Sequence, residues 1–307
     1  MKKKTSDKNL EDKKATRSGY VAIIGRPNVG KSTLLNSLLK QKVSITSSKP
    51  QTTRHRILGI KTEDSFQTIY VDTPGLHSVQ HHKLNRYMNK VAKDTLHDVE
   101  AIVFVVEALK WTKEDDYVLK QLSFVSCPVF LVINKIDLIK DKSSLLPHIE
   151  KLSQLHAFAE IFPLSAEKPQ SLEPLEKAIL AILPHNPHFF MDGELSDRPI
   201  GFRVAELIRE QLVRLLGEEL PYSTAVEIEF FGVEDEVQHI YAIIWVEKES
   251  QKPIVIGKGG ERLKKIGIEA RRGIEQLLNR KVHLKLWVKV KSNWSDDDTV
   301  LKNLGFE

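Results

Sequence analysis

The sequence predicts an α/β protein, a wound and mostly parallel sheet followed by a smaller α+β domain, on three observations. Short apolar runs rich in Val and Ile alternate with helix-type stretches through residues 19–185, the pattern of strands joined by crossover helices. Prolines and polar residues interrupt that pattern at 183–199. Beyond the break the order changes to helix, strand, strand, glycine turn, helix, strand. A chain of 307 residues is long enough for two independent cores.

Residues 1–18 carry a net charge of +4 and almost nothing apolar, so burial cannot offset the entropy of ordering them and a disordered basic tail is expected. Within 19–185, strands are expected at 20–24, 57–61, 68–71, 101–106, 129–133 and 161–163. Helices are expected between them at 31–40, 84–96, 113–123, 145–156 and 172–183. Residues 186–198 read as a linker. The second domain, 199–307, opens with a helix at 199–216 and continues with strands at 225–231 and 237–246 and a turn at 257–260. It closes with a helix at 261–279, a strand at 282–290 and a short helix at 297–304.

The single cysteine, Cys127, excludes a disulfide framework and a cysteine-based zinc site and points to a reducing compartment. The longest apolar runs, such as 101–106 and 129–133, fall far short of the roughly 20 residues that span a membrane. The basic start Met1-Lys2-Lys3-Lys4 is followed by no apolar core before Tyr20, so export is not expected and a cytoplasmic location is. The net charge of +5 hides −9 over residues 192–249 beside +9 over residues 252–291. A local basic surface of that kind suits a polyanionic partner.

The first chemical signal is Gly25-Arg26-Pro27-Asn28-Val29-Gly30-Lys31-Ser32, a G-x-x-x-x-G-K-S phosphate loop placed between an expected strand and an expected helix. Its glycines let backbone amides turn inward on phosphates and the helix start adds its positive end. Lys31 reaches the terminal phosphates and the Ser32 hydroxyl can ligate magnesium. Asp72-Thr73-Pro74-Gly75 follows a strand, where Asp72 can hold magnesium through water and the Gly75 amide can face the γ-phosphate. Asn134-Lys135-Ile136-Asp137 ends another strand. A carboxylate there accepts two hydrogen bonds from the N1–H and N2 amine of guanine, a pair of donors that adenine does not offer. Ser165-Ala166-Glu167, after the last strand of the sheet, can bring a backbone amide toward the guanine carbonyl.

These four elements in this order resemble the guanine-nucleotide motifs of the P-loop GTPases over about residues 19–185. With Pro50-Gln51-Thr52-Thr53-Arg54-His55-Arg56 and the later glycine turn, the chain is similar to the Era family of bacterial GTPases. The resemblance implies GTP and GDP as ligands, Mg2+ as cofactor and slow intrinsic hydrolysis. It places the Thr-Thr pair in the first switch loop, with Thr53 as the hydroxyl that closes on magnesium and Thr52 as the alternative. Metal ligation is thus expected at Ser32, Thr53 and Asp72. Ras-like enzymes orient water with a glutamine after this glycine, whereas here Leu76 follows Gly75 and cannot do so. Resemblance to GTPases that hold a potassium ion through a loop asparagine makes Asn28 a candidate for K+, the other reading being that Asn merely suits a tight loop. Catalytic weight is therefore expected on Lys31, Asn28, Thr53 and Gly75, with Arg26 and Arg54 as candidate charge stabilisers.

In the second domain, Gly257-Lys258-Gly259-Gly260 is a G-x-x-G turn after two strands and before a helix bearing Arg262, Lys264 and Lys265. It resembles the KH fold, type II in its helix-first order, whose glycine loop clamps single-stranded RNA. Bare glycines admit phosphates close to the backbone and Lys258 adds charge. Ile254, Ile256, Leu263, Ile266 and Ile268 fall where a groove floor would lie, although apolar helical spacing also means core. The Era-family resemblance implies binding to 16S ribosomal RNA near its 3′ end, assistance to assembly of the 30S small subunit and rRNA processing, a monomer, and peripheral association with the cytoplasmic face of the inner membrane. Two other classes compete: an ATP-dependent enzyme, which gives Asn134–Asp137 no role, and a scaffold that binds nucleotide without turnover, which Leu76 permits.

Overall fold

The structure, a computed structural model, describes residues 15–76, 83–217 and 220–306. The first domain is a six-stranded sheet of β1 (Arg17–Ile24), β2 (Ile57–Glu63), β3 (Phe66–Asp72), β4 (Ala101–Glu107), β5 (Val129–Asn134) and β6 (Glu160–Pro163), in the order β2-β3-β1-β4-β5-β6. All neighbours pair in parallel except β2 with β3, which run antiparallel at the edge. The central strands β4 and β5 are buried along nearly their whole length, which is why they read as continuous apolar runs rather than alternating ones. Helices α1 (Lys31–Leu39) and α5 (Glu173–Ile182) cover one face. The other face is covered by α3 (Lys113–Leu122), α4 (Leu145–Ser153) and the C-terminal part of α2 (Lys83–Asp94).

Local chemistry trims the expected elements. Lys40 adopts a left-handed conformation and returns its N–H to the carbonyls of Asn36 and Ser37, which ends α1. Thr112 and Asp115 form a capping box that starts α3. The expected tail is corrected at its end. Arg17 and Ser18 belong to β1, paired with Phe66 and Gln67, and the Ser18 hydroxyl donates to the Pro187 carbonyl. Residues 1–14 lie outside the described ones.

The segment 186–198 runs along the outer edge of β2 rather than through open solvent. The Ile60 N–H donates to the Leu195 carbonyl, the Leu58 N–H donates to Asp197 Oδ1 at 3.1 Å, and Arg198 donates to the Arg56 carbonyl. Gln67 holds the N–H groups of Phe189 and Phe190 through its side-chain oxygen.

The second domain stacks α6 (Ile200–Leu215) and α8 (Glu261–Leu278) on a three-stranded sheet of β7 (Thr224–Glu234), β8 (Val237–Val246) and β9 (Val282–Val290). β7 and β8 are antiparallel, while β8 and β9 are parallel. A bulge at Ile228/Phe230 breaks the β7 register and lets that strand run longer than the sequence suggests. The connection from β8 to α8 contains a short helix, α7 (Lys252–Ile256), that the sequence pattern does not announce. The chain ends in α9 (Asp298–Asn303), which with Trp294 and Phe306 packs on Leu84 and Met88 of α2. The two domains therefore share a core along α2.

Candidate nucleotide site and RNA-binding face

β1 delivers the chain into the phosphate loop and α1 leaves it, with Gly30 at φ 101° as the pivot. A side chain at Gly30 would strike the Asn134 amide, so glycine is needed for the approach as well as the conformation. Lys31 is buried, and its Nζ spans the loop to the carbonyls of Gly25 (3.1 Å) and Arg26 (3.0 Å). Burial brings its pKa down to about 8, against the pull of the Asp72 carboxylate. A buried ammonium with only carbonyl partners gains from an added anion, which is what a phosphate supplies.

The expected metal residues converge. Ser32 Oγ lies 2.7 Å from Asp72 Oδ2 and 2.8 Å from Thr53 Oγ1. Ser32 carries one hydroxyl hydrogen, so if it goes to Asp72 the Thr53 hydroxyl donates to Ser32. Thr52, the alternative, turns the other way, its hydroxyl bonded to Ser47 and to the Lys49 carbonyl. Burial pushes the Asp72 carboxyl up, and Lys31 with the surrounding hydroxyls opposes that. Asp72 Oδ1 is buried without a hydrogen-bond partner. An all-oxygen set with one unsatisfied carboxylate atom suits a hard divalent ion such as Mg2+, which keeps waters and takes few protein ligands. No group of three or more His, Cys, Asp or Glu arranged to hold a metal exists among the described residues. Sequence reasoning missed Ser44, which is buried and donates to Asp72 Oδ2 at 2.9 Å; nothing in its spacing marks it.

The base side is stitched by one residue. Asn134 Nδ2 donates to the Val29 carbonyl at 2.8 Å, and its Oδ1 accepts from the Lys135 and Ala166 amides at 2.8 and 2.9 Å. Asn134 thus ties the phosphate loop to the 165–167 loop, and the Ala166 amide is engaged there rather than facing a base. Lys135, at φ 66°, lays its Nζ on the Asn28 carbonyl at 2.8 Å. A cavity of about 560 Å³ opens beside these groups, lined by Asn28, Gly30, Asn134, Lys135, Asp137 and Ser165 among others. Ala166 and Glu167 also border it, and the Asp137 side chain is exposed at its wall. A smaller cavity continues along Pro27, Lys31, Ser32, Thr53 and Gly75. A Cβ on Gly75 would lie 2.8 Å from the Pro27 nitrogen, so glycine there permits contact between the two loops.

Several expected residues lie elsewhere. Leu76 is fully buried against Ala22, Ile24 and Phe104, touching the loop only through its N–H on the Gly25 carbonyl. Val29 and Thr73 are also buried, the Thr73 hydroxyl on the Ile23 carbonyl, and Pro74 lies beneath the surface. Ile136 contributes an N–H to the Leu164 carbonyl and no cavity wall. The side chains of the two candidate arginines are held by other protein groups. Arg26 pairs with Asp115 at 3.0 Å and Glu107 at 3.1 Å, and Arg54 donates to the carbonyls of Thr224 and Tyr222 in the second domain. Asn28 donates to the Ser48 carbonyl at 2.8 Å with φ 66°, a loop-shaping role that leaves its side-chain oxygen for other use.

On the second domain, Gly257, Gly259 and Gly260 all take positive φ, and a Cβ on Gly257 would lie 2.7 Å from that of Arg262. Around Gly259 and Gly260 a Cβ would meet nothing, so the backbone there is open to a ligand. Lys258, Lys264 and Lys265 are exposed on this face, whereas Arg262 folds back to the Ile254 carbonyl and closes the turn. The apolar set divides: Ile266 is core, Ile256 and Leu263 are half-buried, and Ile254 and Ile268 are 49% and 36% exposed. Of the tryptophans, Trp294 is buried with its N–H on the Ser223 carbonyl, while Trp287 is exposed beside Tyr241.

A family model described as a 50S ribosome-binding GTPase matches residues 20–135, and a KH-domain model matches 219–295. GTPase Era of Marinobacter nauticus is 56% identical over 290 residues, covering 94% of this chain and 95% of the relative. GTPase Era of Coxiella burnetii is 55% identical over 294 residues, covering 96% and 99%. The chain belongs to the Era family of GTPases. Among solved structures, Era in complex with MgGDPNP and nucleotides 1506–1542 of 16S ribosomal RNA superposes with a TM-score of 0.91 at 40% identity, covering 95% of this chain and 99% of that one. A variant of Aquifex aeolicus Era bound to GDP·AlF4− gives the same figures. The Era-family chain is accordingly a GTP-binding and GTP-hydrolysing enzyme that works with Mg2+ and carries a type II KH domain. Among the described residues no helix is long and apolar enough to cross a membrane.

Proposed function

We propose that this Era-family GTPase is a GTP-controlled switch that binds 16S ribosomal RNA near its 3′ end and assists 30S subunit assembly and rRNA processing. The observation that carries the reading is continuity: Thr52 and Thr53 line the cavity beside Lys31 and Ser32, while the Thr52 carbonyl and the next side chain along, Arg54, are fastened to the RNA-binding domain. The functional division runs over the GTPase domain 19–185, the linker 186–198 and the KH domain 199–307.

In this reading the phosphate-loop amides and Lys31 hold the phosphates and Asp137 accepts the guanine N–H groups. Ser32 and Thr53 ligate the metal, with Asp72 holding it through water. Magnesium offsets charge on the bridging and terminal phosphate oxygens. The Gly75 amide meets the γ-phosphate. Leu76 is locked in the core and orients no water, so charge neutralisation carries more of the barrier, and a K+ ion at Asn28 Oδ1 would supply it. On the KH face, Gly257–Gly260 admits the RNA backbone while Lys258, Lys264 and Lys265 neutralise phosphates, with Arg262 shaping the turn. The exposed basic face and the similarity to Era solved with an rRNA segment support this partner. A cytoplasmic monomer that meets the inner membrane peripherally completes the reading; its basic tail lies outside the described residues.

The test is phosphate release from GTP and from ATP, in potassium and in sodium, with and without an RNA spanning nucleotides 1506–1542. Turnover selective for GTP and raised by both potassium and RNA is expected. GTP turnover indifferent to the RNA would remove the switch, and indifference to potassium would remove the role of Asn28.

A further inference from the structure

Residues 42–54, which include the Thr52–Thr53 pair, are fastened to the second domain at several points, mostly along α6. Glu210, fully buried, accepts from Lys42 Nζ and from the Thr46 N–H at 3.2 Å. Arg214 donates to the Thr46 carbonyl at 3.2 Å, and Lys49 donates to the Leu216 carbonyl. At the centre sits Arg209, 3% exposed, whose Nε and Nη2 grip both oxygens of Glu206 at 2.6 Å. The same Nη2 donates to the Thr52 carbonyl.

That carbonyl belongs to the planar peptide joining Thr52 to Thr53, so holding it fixes the plane from which the Thr53 Cα and side chain emerge. The Thr53 hydroxyl then lies 2.8 Å from Ser32 and beside Asp72. A buried bidentate ion pair is poor evidence of stabilisation, because apolar side chains of similar size pack about as well. What the pair offers beyond packing is a rigid donor aimed at one acceptor. Nothing in α6 belongs to the GTPase motifs, yet its amphipathic face places a carboxylate and a guanidinium where apolar residues would otherwise be expected.

We propose that Glu206 and Arg209 of the KH domain are positioning residues for the GTPase reaction: by gripping the Thr52 carbonyl they set the Thr53 hydroxyl for magnesium in the GTP-bound site. This inference rests on the reading of Thr53 as a metal ligand. In that reading Thr53 closes on the metal when GTP is bound, so the grip matters for GTP and not for GDP. The first helix of the RNA-binding domain is thus a working part of the nucleotide site.

The test uses the full chain and the double variant Glu206→Met/Arg209→Met, which removes one buried charge of each sign together and so leaves the net charge of the buried cluster unchanged. Binding of the non-hydrolysable analogue GDPNP, and separately of GDP, is titrated against Mg2+, and thermal unfolding checks the fold. The Mg2+ needed for half-maximal GDPNP binding should rise on the order of tenfold, as for loss of a partner that orients a ligand, with GDP binding unchanged. Combining the variant with Thr53→Ala should add little further, since both act on the same metal ligand. Arg209→Lys, which can still donate to the carbonyl, should recover part of the loss. A folded double variant with the parental Mg2+ dependence would overturn the proposal, as would equal losses for GDPNP and GDP. If Thr53→Ala itself leaves the Mg2+ dependence unmoved, the reading of Thr53 fails instead.

Discussion

Asp137 is the proposed reader of guanine, and its surroundings set up a test of that role. Exposed at the cavity wall and free of an ion-pair partner among the described residues, it presents two carboxylate oxygens in one plane. Asp137→Asn exchanges an acceptor for a donor, so the guanine pair loses one charge-assisted bond and gains a clash of donors. GTP affinity should drop by about 3 kcal/mol, roughly a hundredfold, as read by competition with ATP and GTP. His55 offers a second test at this scale. It stacks on Phe306 at 4.1 Å and meets Phe202 edge-on, and burial holds its pKa down to about 3. The unfolded chain therefore binds a proton below about 6.5 that the folded chain refuses until about 3, so stability is full above the upper value and drains as pH falls through the window. His55→Phe should flatten that acid limb in urea melts recorded between those pH values. The position of Asp137, just past the end of β5 at the cavity wall, was legible in the sequence because the apolar run and the motif after it are both local. The His55 site was not, because its partners Phe202 and Phe306 lie in the other domain and nothing local betrays them.

At the scale of elements, legibility followed the range of the forces involved. β8 and β9 were found at their observed limits because alternation or continuous burial is written into consecutive residues. α7 was missed because five residues hold too little periodicity, and the β7 extension because a bulge changes register without a sequence mark. Arg26 and Arg54 were drawn toward the phosphates by proximity in sequence, and only the fold revealed Asp115, Glu107 and the 222–224 carbonyls as their partners. The glycine turn before α8 carries a prediction of its own. Gly257→Ala places a methyl against Arg262 at positive φ and should distort the turn, lowering RNA affinity in filter binding while GTP affinity stays unchanged. Removing the charge of Lys264 or Lys265 should weaken RNA binding and reduce the slope of log affinity on log salt by about one for each phosphate left without its cation.

For the whole molecule, the shared packing of α2 against Trp294 and Phe306 and the fastening of 42–54 to α6 join two separate parts of the GTPase domain to one partner domain. Two ligands acting on one such body are linked reciprocally: the factor by which GTP raises RNA affinity must equal the factor by which RNA raises GTP affinity. Calorimetric titrations in both orders should return the same factor, on the order of tenfold. Trp294→Ala empties a fully buried site between the domains; it should cost about 3–5 kcal/mol and reduce that factor toward one.

The segment that runs beside β2 has a bearing on how the first domain behaves when separated. A marginal strand normally leaves a row of bare amides and carbonyls that another chain can extend into a shared sheet. Here the Arg56 carbonyl and the outward N–H groups of Leu58 and Ile60 are occupied by 195–198, so the joining segment is also a hem that hinders the sheet from templating growth. A fragment ending at 185 would carry the raw border and a fragment ending at 198 the finished one, and light scattering should find oligomers in the first and single particles in the second.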